Sequence, residues 1–240
     1  MASWVYGRRP VFETLQAGRR SIHKLWLAEG MGGEIVDQIV ALARQRGVAM
    51  ERAPRSRLDR MAPGHHQGVV AQVAETAYLD LDGFLAGVKD LQEVMLLALD
   101  EIQDPQNLGA ILRNAGFFGV TAAIVPRWRS APVSEAAVRT SSGAAEHVPL
   151  IRVRNLADAI LQLKEAEFEV VGADAGGSPL WNYRRSARTV LVLGNEGQGL
   201  RRLVRERCDK LLGIPTRGPV ASLNVGSAAA IFLYEFFRSR

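Results

Sequence analysis

The sequence predicts an α/β chain in which a parallel sheet, covered by helices on both faces, follows a smaller α/β module. Three observations predict it. From Val94 onward, short apolar runs alternate with amphipathic stretches, the pattern of strands buried on both sides of a sheet. Near the C-terminus two such runs each open into a glycine-containing loop and then a helix, which presents backbone N–H groups at the carboxyl ends of strands. The charge, finally, is blocky. Residues 1–75 carry 11 basic and 7 acidic side chains, a net of +4; residues 76–93 carry 1 and 4, −3; residues 94–240 carry 18 and 14, again +4. These shifts divide the chain into an N-terminal domain (1–75), a linker (76–93) and a larger domain (94–240).

A chain of 240 residues is long enough for one large or two small domains with real cores. Its net charge of +5 and pI near 9.8, split over two basic blocks, suit two surfaces that grip one polyanion. The single cysteine, Cys208, excludes an intramolecular disulfide and a cysteine metal cluster. Met1–Pro10 has no apolar signal core. Val220–Phe237 is apolar but interrupted by Ser222, Asn224, Ser227 and Glu235, so it reads as a buried helix and not a membrane span. A cytoplasmic location is the expectation.

In the first module, a helix over Arg8–Gln16 leads to a strand at Lys24–Ala28. A helix at Glu34–Arg46 follows, with Ile35, Ile39, Leu42 and Ala43 on one stripe. Then come a strand at Val48–Arg52, a short helix at Ser56–Met61 and a strand at Gly68–Val73. Arg8, Arg9, Arg19 and Arg20 sit mostly in loops and short connections, where phosphate contacts are easily made. Trp4 and Trp26 are able to stack bases or to pack in the core. His65 and His66 suggest a metal, but no third ligand is in view, and turn chemistry accounts for such a pair. The linker has helical character around Leu81–Val88.

In the larger domain the strands are Val94–Leu99, Ala122–Val125, Val148–Val153, Glu169–Ala173, Thr189–Leu193 and Lys210–Ile214. The helices fall at Leu108–Phe117, Ser134–Ser141, Leu156–Glu167, Leu200–Cys208 and Val225–Phe237. Asn155 with Asp158 opens the third of these as a capping pair. Asn107 stands where an N-cap belongs, a structural role that competes with a functional one. Arg113 falls off the buried stripe of its helix and reads, taken alone, as a solvated charge.

The loop Gly194–Gly199 spaces its glycines G-x-x-G-x-G, the reverse of the dinucleotide fingerprint. Ile214 occupies the position where a ribose-binding acid would stand. A nicotinamide site is therefore disfavoured, and no Walker lysine is present. Asn195 and Glu196, paired with Ser222 and Asn224 beside the apolar Leu193, Ile214 and Leu223, suit a flat base held at its edge by N–H groups, as in an adenosine-type ligand.

Three patterns then carry a family resemblance: D-P-x-N-x-G-x-I-x-R from Asp104 to Arg113, L-G-N-E-G-x-G from Leu193 to Gly199, and I-P-x-x-G-x-x-x-S-L-N-V from Ile214 to Val225. In order and spacing they resemble the motifs of the SpoU/TrmH family of the SPOUT superfamily, S-adenosylmethionine-dependent RNA 2′-O-ribose methyltransferases. Tyr6–Val11, His66–Val70 and Ser142–His147 resemble the subgroup that acts on large-subunit (23S) ribosomal RNA, so a guanosine of that RNA is the expected target. A transfer-RNA methyltransferase of the same family and a non-enzymatic RNA-binding protein are the alternatives. The resemblance implies a trefoil-knotted catalytic domain preceded by a small α/β RNA-binding domain. It also implies a homodimer formed through the knotted region and no metal. It implies S-adenosylmethionine contacts at Leu193, Gly194, Ile214, Leu223 and Asn224. Arg113 would act on the substrate side, as a proton acceptor or a phosphate clamp, with Asn107 orienting it or the ribose. Glu196, Ser222 and Asn224 would order the pocket and the dimer contact. Thr216, where Met is frequent, and Gly226-Ser227 in place of a Ser-Val-type pair depart from the family pattern without touching a residue given a chemical role.

Overall fold

A computed structural model describes residues 3–62, 64–220 and 222–239. The chain divides into two compact units: residues 1–77 with 133–147, and residues 78–132 with 148–240. Ala221, within the second C-terminal loop of the sequence reading, lies outside the described residues.

The first unit opens with a strand that the sequence reading missed, β1 (Ser3–Tyr6). It continues through α1 (Arg8–Ala17), β2 (Ile22–Ala28), α2 (Glu34–Gln45), β3 (Met50–Ala53), α3 (Arg55–Met61) and β4 (Val69–Val73). The strands form a mixed sheet in the order β1-β4-β2-β3, with β4 antiparallel to both neighbours and β2 parallel to β3. Alternation along the strands divides the core between the faces. Val5, Leu25, Leu27 and Ala71 pack with Val11, Leu15 and Ile39 of α1 and α2, while Tyr6, Trp26 and Val70 pack with Leu58 of α3. Trp26 is thus a core residue, tilted against Trp4 at 5.8 Å. Gly18 ends α1 in the left-handed region (φ 64°) and returns its N–H to Thr14 O, a conformation costly for any residue with a Cβ.

The second unit begins with α4 (Leu81–Gly87), capped by the Asp80 carboxylate, then β5 (Val94–Leu99), α5 (Pro105–Phe117) and β6 (Ala122–Pro126). The next helix, α6 (Glu135–Thr140), belongs to the first unit, where Val138 joins the cluster of Val11 and Leu15. The chain then completes the second unit with β7 (Leu150–Val153), α7 (Leu156–Glu165), β8 (Glu169–Pro179), β9 (Arg188–Leu193), α8 (Arg202–Arg207), β10 (Lys210–Gly213) and α9 (Val225–Arg238). Six strands form one sheet in the order β10-β8-β9-β5-β6-β7, every neighbouring pair parallel. On one face Leu96, Ala98, Val190 and Val192 pack with Leu156, Ile160, Leu163 and Val204 of α7 and α8. The alternate residues Leu97, Leu99, Leu191 and Leu193 are equally buried and face the other way, which leaves that side to α5 and α9. Those two helices meet closely: a Cβ on Gly226 would lie 2.9 Å from Ala110 Cβ, and Asn114 Nδ2 donates to Gly226 O at 2.9 Å.

Several sequence expectations shift here. Asn107 is not an N-cap; Asp104 caps α5, accepting from Gln106 N at 2.9 Å, with Pro105 in the first helical turn. Asn155 does cap α7, accepting from Ala157 N. The predicted helix from Leu200 starts later, because Asp100 takes the Arg201 N–H at 2.8 Å and holds that residue outside the helix. His66 is buried and built into the turn before β4: its Nδ1 accepts from Gly68 N, so Nε2 carries the proton and meets Asp59 Oδ1 at 2.8 Å. Among the described residues no cluster of three or more His, Cys, Asp or Glu could hold a metal, and no helix is long and apolar enough to cross a membrane.

Arg20 requires a correction. Its side chain is 4% exposed and paired with Glu146, equally buried, at 2.8 Å, and its Nε donates to Ala74 O at 2.9 Å. It is therefore withdrawn from the phosphate-binding set. An Arg20→Ala substitution would strand a buried carboxylate, and by the usual cost of breaking such pairs it is expected to destabilise the first unit by about 3–5 kcal/mol. Chemical denaturation checks this; the Arg20→Ala/Glu146→Ala double variant is expected to recover part of the loss.

Candidate active site

The carboxyl ends of β5, β8, β9 and β10 gather the loops singled out in the sequence. The turn Gly194–Gly199 closes on itself through Asn195 N to Gly199 O (3.0 Å) and Gly199 N to Asn195 O (2.8 Å). The Asn195 side chain locks it further, accepting from Gly197 N at 2.9 Å and donating to Glu101 O at 3.0 Å. Asp100, wholly buried at the end of β5, takes Arg201 Nε at 2.7 Å and so pins the other side of the turn.

Beside this turn lies a cavity of about 650 Å³, within the range of small-molecule sites. Leu193, Gly194 and Glu196 line it from the β9 side, and Ile214, Thr216, Ser222 and Leu223 from the loop after β10. Ala173 and Asp174 of β8 and Phe232 of α9 complete the wall. At the start of α9, Asn224 Oδ1 accepts from Gly226 N (2.9 Å) and Ser227 N (3.4 Å), capping the helix. Its Nδ2 donates to Asn107 Oδ1 at 2.8 Å, and Asn107 Nδ2 donates in turn to the Glu196 carboxylate. One hydrogen-bonded chain thus ties residues 107, 196 and 224 together from three separate motifs.

The predicted residues fall in several places. Asn107, Glu196 and Asn224 are joined, and Leu193, Gly194, Ile214, Ser222 and Leu223 line the cavity. Arg113 is exposed on α5, six residues beyond Asn107, and like Asn107 and Asn224 it is not among the residues that line the cavity. In the first unit Arg8 donates its Nε to Gln67 O at 3.3 Å, exposed Arg9 pairs with Glu13 at 2.6 Å, and Arg19 is exposed. Sequence reading missed Asp174 and Phe232. Asp174 belongs to a strand extension that its glycine-rich sequence disguises, and the Arg205 guanidinium, 2.8 Å away, holds its carboxyl below the usual range. It missed Asp100 too, although a carboxylate ending an all-apolar strand is a visible signal.

The sequence pattern described as the SpoU rRNA methylase family matches residues 94–234, and that described as RNA 2′-O ribose methyltransferase substrate binding matches residues 4–79. The chain belongs to the SpoU methylase family. A Bacillus subtilis SpoU relative, named as a TrmH family tRNA/rRNA methyltransferase, is 39% identical over 239 residues, 99% of this chain and 96% of its own. A Staphylococcus aureus protein of the same description is 39% identical over 238 residues, 98% and 96%. Among solved structures, the SpoU methyltransferase AviRb of Streptomyces viridochromogenes superposes with a TM-score of 0.82 at 27% identity, covering 100% of this chain and 90% of that one. An AdoMet-bound rRNA methyltransferase from Sinorhizobium meliloti gives 0.81 at 27%, covering 99% and 87%.

Proposed function

We propose that this chain transfers a methyl group from S-adenosylmethionine to a ribose 2′-hydroxyl of large-subunit (23S) ribosomal RNA, at a guanosine. The observation that carries the reading is the hydrogen-bonded chain through Asn107, Glu196 and Asn224 at an apolar cavity of suitable size, in a member of this family. The cavity fits the cofactor's chemistry. Leu193, Ile214 and Leu223 supply apolar faces for an adenine, and Gly194 lets backbone approach closely; a Cβ there would lie 2.5 Å from Leu200 N. Glu196 adds a carboxylate in the cavity wall that suits a cationic ligand. When bound, S-adenosylmethionine supplies an electrophilic methyl group on its sulfonium.

The chain's own residues position and desolvate. Asn224 fixes the start of α9 and, through Asn107, the orientation of Glu196; Ser222 presents a hydroxyl to the same cavity. Arg113 clamps the phosphate next to the target ribose, since a guanidinium holds its proton too firmly to serve as a general base. Holding the hydroxyl in line and out of water provides most of the acceleration. Arg8, Arg9 and Arg19 contact RNA phosphates from the N-terminal domain (1–75), joined by the linker (76–93) to the methyltransferase domain (94–240).

The active species is a homodimer, located in the cytoplasm, that uses no metal. Support comes from the apolar surface of α5 and α9: Phe117 is 82% exposed, Tyr234 54% and Phe237 51%, more than an isolated chain ordinarily leaves in water. Phe118 packs on Tyr234 and Phe237 and binds the patch together. The knot that the family resemblance implies would involve the loops around β10, beside the same helices. In this arrangement Arg113 serves the cavity of the opposite subunit. The functional test maps ribose methylation across ribosomal and transfer RNA from cells lacking the protein. Loss of one 2′-O-methyl mark in large-subunit RNA is expected; a loss confined to transfer RNA would refute the ribosomal assignment.

A further inference from the structure

The loop Arg127-Trp128-Arg129-Ser130 leaves the carboxyl end of β6, the edge of the sheet that also carries the cavity. It is pinned at both ends. Arg127 N donates to Val153 O and Ala131 N to Ile102 O, each at 2.8 Å, and Arg129 takes the left-handed region at φ 57°. The backbone is thus spent on holding the tip outward. At that tip Trp128 is 67% exposed, an unfavourable position for so large an apolar ring unless something covers it. The Arg127 guanidinium lies over the ring, 5.1 Å from its centroid. Arg129, its side chain 73% exposed, reaches toward Glu101 at 3.6 Å. Glu101 is the residue whose carbonyl receives Asn195 of the glycine turn, so the tip stands one residue away from the wall of the cavity.

We infer that Trp128 is a stacking platform for an unpaired base of the RNA substrate beside the target ribose, with Arg127 and Arg129 neutralising the flanking phosphates. This rests on the RNA methyl-transfer reading above. An aromatic ring between two arginines meets the two requirements of single-stranded RNA: a flat π-face for the base and positive charge for the backbone. A flat apolar surface would use the ring alone, whereas RNA would use the ring and both guanidinium groups. A base held by Trp128 would fix the register of the strand, so that one ribose is presented and its neighbours are not.

The test compares the full-length wild-type, Trp128→Ala and Trp128→Phe proteins. Unmethylated large-subunit ribosomal RNA made in vitro serves as substrate. Two short RNAs of equal length, a hairpin with an unpaired loop and a perfect duplex, serve as anisotropy probes. Removing a stacked ring is expected to raise KM for RNA about 5- to 150-fold, with the loss falling on KM more than on kcat. Trp128→Phe should recover most of it. S-adenosylmethionine affinity should be unchanged in both variants. In the anisotropy arm, Trp128→Ala should weaken the hairpin and leave the duplex alone. An unchanged KM, equal damage in the Phe variant, or equal weakening of hairpin and duplex would each overturn the stacking role. A changed sedimentation profile with unchanged RNA binding would assign the ring to contact between copies, and would overturn it as well. If the wild-type protein methylates no RNA, the functional reading fails, and the anisotropy arm still decides the role of the ring.

Discussion

Replacing Gly194 with alanine is expected to weaken cofactor binding about 5- to 150-fold. The new Cβ would fall inside the contact distance of the Gly199 carbonyl carbon and 2.5 Å from Leu200 N. Both are backbone atoms, which no rotamer change relieves. The turn Gly194–Gly199 is held shut by its own pair of hydrogen bonds and by Asn195, so accommodating the methyl group means prising that turn open along the cavity wall. Overpacking of this kind costs about 1–3 kcal/mol, and here the cost falls on the site itself, a loss of about 5- to 150-fold in affinity. Calorimetric titration with S-adenosylmethionine checks it. Gly87→Ala, where nothing lies within 4 Å of the added atom, is the matched control and should bind as wild type does.

Arg113→Ala is the complementary case. Arg113 lies outside the cavity wall, so the variant is expected to keep wild-type cofactor affinity while its turnover falls about 100-fold or more, the scale of loss that follows misplacement of a reacting group. Wild-type turnover in the variant would remove Arg113 from the mechanism. The homodimer proposed above also predicts complementation. Mixing Arg113→Ala subunits with Asn224→Ala subunits, under conditions of exchange, should restore activity, because one composite site in each mixed dimer is intact. Failure despite confirmed exchange would place Arg113 and its cavity in the same subunit.

The residues that sequence reading handled well are those whose role is local. The alternation of apolar runs and amphipathic stretches located all six strands of the large sheet, because strands buried on both faces read as short apolar runs rich in β-branched residues, too short for buried helices. The turn at Gly194 was visible because close backbone approach demands glycine. What stayed hidden depends on partners far away in the chain. Asp174–Pro179 reads as a glycine-rich loop, yet Ser178 and Pro179 pair with Leu212 and Gly213, since Gly177 leaves room for the Leu211 backbone. Asn107 looked like a cap because the apolar stripe begins at Leu108, although Asp104 followed by Pro105 is itself a local signal for a start three residues earlier. Arg20 read as one more surface arginine, since its partner Glu146 lies 126 positions on. The same long-range contacts draw 133–147 into the first unit, which no local pattern announces.

The most direct test of the central claim is methyl transfer itself. Purified protein is incubated with labelled S-adenosylmethionine and unmethylated large-subunit ribosomal RNA, and the RNA is digested to nucleosides. A single labelled 2′-O-methylguanosine is the expected product. Label on a base, label only in added transfer RNA, or no label at all would contradict it.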